Sequence, residues 1–253
     1  LDAFTGRLFG GNPAAVVLLE QWLSDGVLQA IAAENNLAET AFAIPNADVT
    51  PLRWFTPTVE VDLCGHATLA TADVLLRHCF PGLQRLRFST RSGELTVARA
   101  GNLLELDFPS RPGKSIAVSD ALAQALDARP REAYLARDLL AVFDSEEEVR
   151  ALRPDFPRVA ALDAFAVIVS APGKDVDFVS RFFAPGAGIP EDPVTGSAHC
   201  TLTPYWAARL GKSILTARQV SARGGELRCE LRGDRVGIAG SVVEYLSGEI
   251  TVD

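Results

Sequence analysis

Ile189-Pro190-Glu191-Asp192-Pro193-Val194-Thr195-Gly196-Ser197-Ala198-His199 leads into an apolar run that lasts to Leu210. Two prolines and two acids make an extended, turn-rich entry where a helix cannot begin early. Thr195-Gly196-Ser197 then reads as an N-cap cluster, and the segment behind it, residues 196–210, is apolar on nearly every side, the mark of a buried helix. A helix start with small residues at its mouth points several backbone N–H groups outward, which suits a carboxylate or phosphate. The cap alone favours an ordinary core helix; a second occurrence of the same pattern shifts the balance.

That second occurrence is Arg53-Trp54-Phe55-Thr56-Pro57, then Cys64-Gly65-His66-Ala67-Thr68 and an apolar run. It matches Arg181-Phe182-Phe183-Ala184-Pro185, then Thr195-Gly196-Ser197-Ala198-His199. The arginines stand 128 residues apart and the glycines 131; Gly93-Glu94-Leu95 and Gly101-Asn102 match Gly225-Glu226-Leu227 and Gly233-Asp234 at 132. So small a drift argues for an internal duplication. Two half-chains, each with a buried helix opening on a glycine, are expected to bring two helix mouths to one cleft. The expected lobes are residues 1–110, with a central helix at 65–77, and 111–253, with one at 196–210; the last strand could return to the first lobe.

At 253 residues the length suits two domains, and 48% apolar with 22% charged residues is ordinary for a globular protein. No segment has the uninterrupted apolar length of a membrane span. A net charge of −8 makes nucleic acid or an anionic membrane an unsuitable partner. An acidic protein that binds an acidic small molecule needs local dipoles, which helix N-termini supply. The four cysteines, Cys64, Cys79, Cys200 and Cys229, form no C-x-x-C and read as reduced thiols of a cytoplasmic protein. Neither Cys64-Gly65-His66 nor His199-Cys200 has zinc-site spacing, so no metal is expected. The chain opens inside what reads as a strand, so a few residues are expected to precede it, and it contains no methionine.

In order, strands are expected at 2–5, 14–19, 37–44 and 52–55, with a helix capped by Ser24 and closed by Asn35-Asn36. Strands at 85–89, 94–100 and 103–108 follow the first central helix, and Pro109-Ser110-Arg111-Pro112-Gly113 has the composition of a linker. Beyond it, Ser119 caps a short helix, and strands are expected at 134–136 and 139–143. Ser145-Glu146-Glu147-Glu148 is a capping box. Strands at 165–170, 178–183, 226–231, 236–239, 242–245 and 249–252 complete the second half, where Pro204 should kink its helix or shift the start. Short strands, hairpins and one apolar helix per half point to an α+β fold, each sheet wrapped around its own helix. With no G-x-G-x-x-G or P-loop, no nucleotide cofactor is indicated.

Asp2-Ala3-Phe4-Thr5, Gly11-Asn12-Pro13-Ala14-Ala15-Val16, Asn36-Leu37-Ala38-Glu39-Thr40, Asp62-Leu63-Cys64-Gly65-His66-Ala67-Thr68 and the stretch from Glu191 to His199 together resemble the phenazine-biosynthesis PhzF-like isomerase family from end to end. The resemblance implies the diaminopimelate-epimerase-type fold: two pseudo-symmetric lobes, each a mostly antiparallel sheet around a central helix. It also implies a homodimer working without a cofactor. By position, Glu39 matches the family's acid/base carboxylate, while His66 and Asp192 match residues that orient the substrate and assist proton movement. Gly65, Gly196 and Ser197 match the helix-mouth residues that hold the substrate carboxylate. Fold transfers across such a family more safely than substrate does.

Read for itself, Glu39 sits near a strand start, where a carboxylate is ordinarily solvated; facing a closed cleft, it would be suited to proton transfer. Abstracting a proton α to a carboxylate needs a base, a dry site and donors for the developing charge, and Glu39 with two helix mouths would supply them. The expected activity is a cofactor-independent proton shift between carbons of a small cyclic or unsaturated carboxylic acid. Two rivals remain. A cysteine-based amino-acid racemase or epimerase wants a thiol before each helix-mouth glycine, and the chain has Cys64 before Gly65 but Thr195 before Gly196. A non-catalytic binding protein could keep the scaffold, although the retained Glu39, His66, Asp192 and Ser197 argue against it. His78 and His199 read as structural.

Overall fold

The chain divides between Leu106 and Asp107 into two units, and the segment from Gly240 onward packs with the first; the computed structural model describes residues 1–252. The first unit begins with β1 (Asp2–Ala3), β2 (Asn12–Leu18), α1 (Asp25–Asn35), β3 (Glu39–Ala43), β4 (Thr50–Phe55) and β5 (Glu60–Val61). Then come α2 (Gly65–Val74), β6 (Arg85–Thr90), β7 (Gly93–Ala100) and β8 (Leu103–Pro109). Strand β1 pairs antiparallel with β2, β2 parallel with β3, β3 antiparallel with β4, and β4 parallel with β6; β7 and β8 extend the sheet antiparallel. Each parallel pair is joined by a helix, α1 or α2, as a parallel connection requires.

Helix α2 has no solvent face: His66, Ala67, Thr68, Leu69, Ala70, Thr71 and Ala72 are all buried. Alanine and threonine dominate because a sheet can close around a helix only where side chains are short. The two threonines bring hydroxyls into that core, and each folds back onto its own helix, Thr68 Oγ1 donating to Cys64 O at 2.5 Å and Thr71 Oγ1 to Ala67 O at 2.7 Å. The helix does not run on as α to residue 77. After Val74 it widens into a π-helical turn, Leu75–Cys79, with Phe80 N bonded to Leu75 O at 2.7 Å. The carbonyl of Leu76 accepts instead from Arg99 Nη2 at 3.2 Å, a tertiary partner that the uniform apolar run does not advertise.

Strand β3 is covered on both faces. Phe42 packs with Leu28 and Ala32 of α1 and edge-to-face on Phe55, with ring centroids 5.5 Å apart. Alternation then places Glu39, Ala41 and Ala43 on the opposite face. Ser24 stands at the N-cap of α1, yet its side chain makes no capping bond; its carbonyl accepts from Val27 N and Leu28 N. Asn36, in the left-handed region at φ 47°, closes the helix.

The second unit runs through β9 (Lys114–Ile116), α3 (Asp120–Leu126), β10 (Glu132–Leu135), β11 (Leu139–Val142), α4 (Glu146–Ala151), α5 (Phe156–Ala160), β12 (Val167–Pro172) and β13 (Phe178–Phe183). It finishes with α6 (Gly196–Leu210), β14 (Ile214–Gln219), β15 (Gly225–Arg232) and β16 (Arg235–Gly240). From β10 to β16 the pairings run antiparallel, parallel, antiparallel, parallel, antiparallel, antiparallel, the same succession as in the first unit. The likeness extends to side chains. Arg53 bonds Glu60 through Nε at 2.7 Å and lies 5.1 Å from the Phe55 ring centroid; Arg181 bonds Glu191 at 2.8 Å and lies 4.9 Å from that of Phe183.

Several expectations are corrected here. Helix α6 begins at Gly196 and runs unbroken through Pro204, so its start is not shifted; the carbonyl that proline leaves free, Cys200 O, accepts from Arg111 N at 2.8 Å. That bond and Ser110 N to Asp234 O, also 2.8 Å, pin the supposed linker to the second unit. Ser145 Oγ caps α4 by accepting from Glu148 N, but Glu148 Oε2 returns to Asp144 N rather than to the cap residue. Helix α5, capped by Asp155, was not anticipated. Residues 249–252 form no strand; the last strand is β17 (Val242–Val243), which pairs antiparallel with β1 in the first unit.

Candidate active site

Glu39 opens β3 with its side chain only 14% exposed, on the face shared with Ala41. Opposite it is the first turn of α2. His66 Nε2 lies 3.1 Å from Glu39 Oε2, and Cys64 Sγ lies 3.5 Å from His66 Nδ1. The Nε2 contact is close enough for strong attraction, yet Oε2 receives no aligned hydrogen bond and is buried without a donor. The carboxylate is thus sheltered from solvent beside an imidazole, a setting in which it can take and return a proton.

Burial alone would push the Glu39 carboxyl up, but the positive charge of His66 and the polar contacts of His66 and Cys64 outweigh it and hold the group below its ordinary range. Burial disfavours the charged form of His66, and Cys64 and Glu39 together reverse this, so its pKa lies well above the ordinary imidazole value. Burial pushes the Cys64 thiol up. The donor atoms of these three residues lie within 4.8 Å of one another. The imidazole lies against both the Glu39 carboxylate and the Cys64 sulfur, so the set is placed to hold and pass a proton.

In the second unit, Asp192, Thr195, Gly196 and Ser197 gather at the mouth of α6. Thr195 holds the N-cap position, but its side chain caps nothing: Oγ1 donates to Asp192 Oδ2 and accepts from Gln219 Nε2 at 3.2 Å. Gln219 Oε1 accepts from Thr195 N at 2.9 Å, and its Nε2 also donates to Asp192 O at 2.8 Å. The six anticipated residues thus fall into two groups, Glu39, Gly65 and His66 in the first unit and Asp192, Gly196 and Ser197 in the second. In neither unit does the N-cap side chain close the helix mouth.

A family model described as phenazine biosynthesis-like protein, PhzC-PhzF, matches residues 1–248. The chain belongs to the PhzF family. It is 54% identical over 252 residues to an uncharacterized isomerase of Pseudomonas aeruginosa, covering 99% of this chain and 96% of that one. Its structure resembles that of a PhzF-family protein from Enterococcus faecalis at 49% identity, with a TM-score of 0.93 and coverage of 95% and 93%. A phenazine biosynthesis PhzC/PhzF protein from Clostridium difficile superposes with a TM-score of 0.95 at 43% identity, covering 99% and 97%. The α+β fold read from the duplicated motifs is that of these PhzF structures.

Within this PhzF-family chain two structural partners escaped the sequence reading. Cys64 reads from sequence as a reduced thiol or a racemase nucleophile, and the structure puts its sulfur against His66. Gln219 belongs to no motif, and period-2 burial of Leu215, Ala217 and Gln219 along β14 places its amide on an inward face. A buried amide must have partners, and that was the available signal. His199 is structural in its bonding: Nδ1 donates to Thr195 O at 2.9 Å, and burial lowers its pKa to about 4. His78 is exposed and pairs with Glu244 at 3.0 Å.

Proposed function

We propose that this protein is a cofactor-independent isomerase that moves a proton between carbons of a small cyclic or unsaturated carboxylic acid, with Glu39 as the acid/base. The observation that carries the reading is the buried Glu39 carboxylate, kept ionised by His66, whose Nε2 lies 3.1 Å from its Oε2. The ionised carboxylate takes a proton from a carbon conjugated to the substrate's carboxyl group. The electron pair left behind spreads into that carboxyl group, and the protonated Glu39 returns the proton to a second carbon. His66, as a neighbouring donor, steadies the charge on Glu39 as it alternates between forms. Gly65, Gly196 and Ser197 are the proposed holders of the substrate carboxylate through backbone N–H groups, and Asp192 orients the substrate. Membership of the PhzF family supports this assignment, as does the isomerase name of the Pseudomonas relative. A homodimer in the cytoplasm completes the proposal, and the net charge of −8 speaks against nucleic acid as a partner.

The cysteine-based alternative is disfavoured by two features. Burial keeps the Cys64 thiol protonated, and Thr195, at the matching position, commits its hydroxyl to Asp192. The deciding experiment is incubation in deuterated water with a panel of small carboxylic acids, following carbon-bound hydrogen exchange by NMR. Exchange that disappears in Glu39→Gln but persists at reduced rate in Cys64→Ser is the expected result. The reverse pattern would identify a thiol-based epimerase, and saturable binding without any exchange in the wild type would identify a binding protein.

A further inference from the structure

An N-cap side chain ordinarily accepts a hydrogen bond from the first turn of its own helix. Cys64 is the N-cap of α2 and makes no such bond. Its sulfur instead lies 3.5 Å from His66 Nδ1, nearer than the 4.0 Å to Nε2, and the latter nitrogen is the one 3.1 Å from Glu39 Oε2. The matched residue of the other half behaves in the same way: Thr195, N-cap of α6, turns its hydroxyl away from the helix and onto the carboxylate of Asp192. In both halves of a duplicated chain the residue before the helix-mouth glycine has given up capping and holds a polar side chain of the candidate site.

We propose that Cys64 is a positioning residue, whose sulfur partners Nδ1 of His66 and so keeps Nε2 turned toward the Glu39 carboxylate. An imidazole can rotate about its last side-chain bond, and that rotation would exchange a nitrogen for a carbon at the Glu39 side. A sulfur fixed by the strand-like backbone of Cys64 (φ −144°, ψ 110°) penalises the rotated form, because it would face a C–H. His66 is buried, so water cannot take over as partner for Nδ1, and the ring's orientation depends on the neighbours it has. The same contact accounts for the identity of residue 64. Serine could partner Nδ1, but its shorter bond would set the oxygen farther back; alanine could not partner it at all.

The assignment deepens the acid–base reading of the site and draws its catalytic meaning from it, yet its test needs no substrate. The chain has only three histidines, so the imidazole signals of His66, His78 and His199 are separable in long-range proton–nitrogen NMR spectra of the full-length protein. Wild type, Cys64→Ala and Cys64→Ser are titrated side by side. In Cys64→Ala the His66 midpoint is expected to fall by about one pH unit or more, roughly a tenfold change in proton affinity, with a displaced Nδ1 resonance. Cys64→Ser is expected to restore part of both, while His199 stays where it is. A His66 midpoint and Nδ1 resonance unchanged or raised in Cys64→Ala overturns the proposal, and so does equal loss in the serine and alanine variants. If the titrations behave as expected but no acid exchanges hydrogen in the wild type, the isomerase reading fails while the positioning role of Cys64 stands.

Discussion

Glu39 and His66 show how two groups that burial should neutralise can keep each other charged. Desolvation opposes the charge on both, and each is carried past that penalty mainly by polar neighbours of the other sign or by Cys64. The consequence for stability has a definite sign. Glu39 has a folded pKa below its unfolded one, so its contribution is present above the ordinary carboxylate range and is lost as pH falls through the folded value. His66 has a folded pKa above its unfolded one, so its contribution is full below the ordinary imidazole value and is lost as pH rises through the folded value. The pair is therefore worth most between roughly pH 4.3 and 6.5, the two unfolded pKa values. Thermal melts of wild type and Glu39→Gln should differ most in that window and converge on both sides. Melts that show no such difference in the window would mean that His66 is neutral in the folded protein and gives Glu39 no charge partner. The sequence made Glu39 and His66 visible through their motifs. It did not show that Oε2 lacks a donor or that a cysteine completes the group, because those facts depend on which way side chains turn.

At the scale of elements, the loop before α6 illustrates how much of a site is held by residues outside any motif. Gln219, at the end of β14, accepts from one backbone N–H and donates to a carbonyl and a hydroxyl, all belonging to Asp192 or Thr195. Replacing it by leucine keeps the volume but strands the N–H of Thr195 and the carbonyl of Asp192 in a buried setting. At about 1–3 kcal/mol for each of the two unsatisfied groups, Gln219→Leu should cost roughly 2–6 kcal/mol. Urea unfolding of the purified variant measures this, and a loss under about 1 kcal/mol would show that the loop is held some other way. Element positions were largely legible in advance, since most strands and both central helices follow from periodicity and turn residues. What failed had tertiary causes. The π turn at Leu75–Cys79 answers to Arg99, and the uninterrupted α6 answers to Arg111, which supplies the hydrogen bond Pro204 cannot. Residues 249–252 alternate like a strand but form none in the structure.

For the whole molecule, the duplication is the deeper regularity. Two halves repeat one succession of strand pairings, and an Arg–Glu–Phe cluster recurs on β4 and β13. The repeat is not laid out as two consecutive segments, because the chain's end goes back to the first unit. There β17 pairs with β1, Thr5 N donates to Ser241 O at 3.2 Å, and the Tyr245 ring meets that of Phe9 at 5.6 Å. Gly240 sits so close to Phe4 that a Cβ would come within 2.4 Å of its ring, so the returning segment and the N-terminal turn are fitted to one another. Strand β1 is only two residues long, and two-stranded pairing is marginal in water. Without β17 it would become an edge strand, held by β2 alone. Ending the chain at Ala239 should therefore loosen the first unit from its N-terminal side. Hydrogen exchange read by mass spectrometry is expected to show protection lost first in β1 and β2, while β11, β12 and β13, whose pairings involve only second-unit strands, retain theirs. Because β2 pairs with β3, Ala14 opposite Glu39, the truncated protein should also lose the His66 resonance of the intact site. Equal loss of protection in both units would instead mean that they unfold as one cooperative body, and the returning segment would then stabilise the whole chain rather than the half it completes.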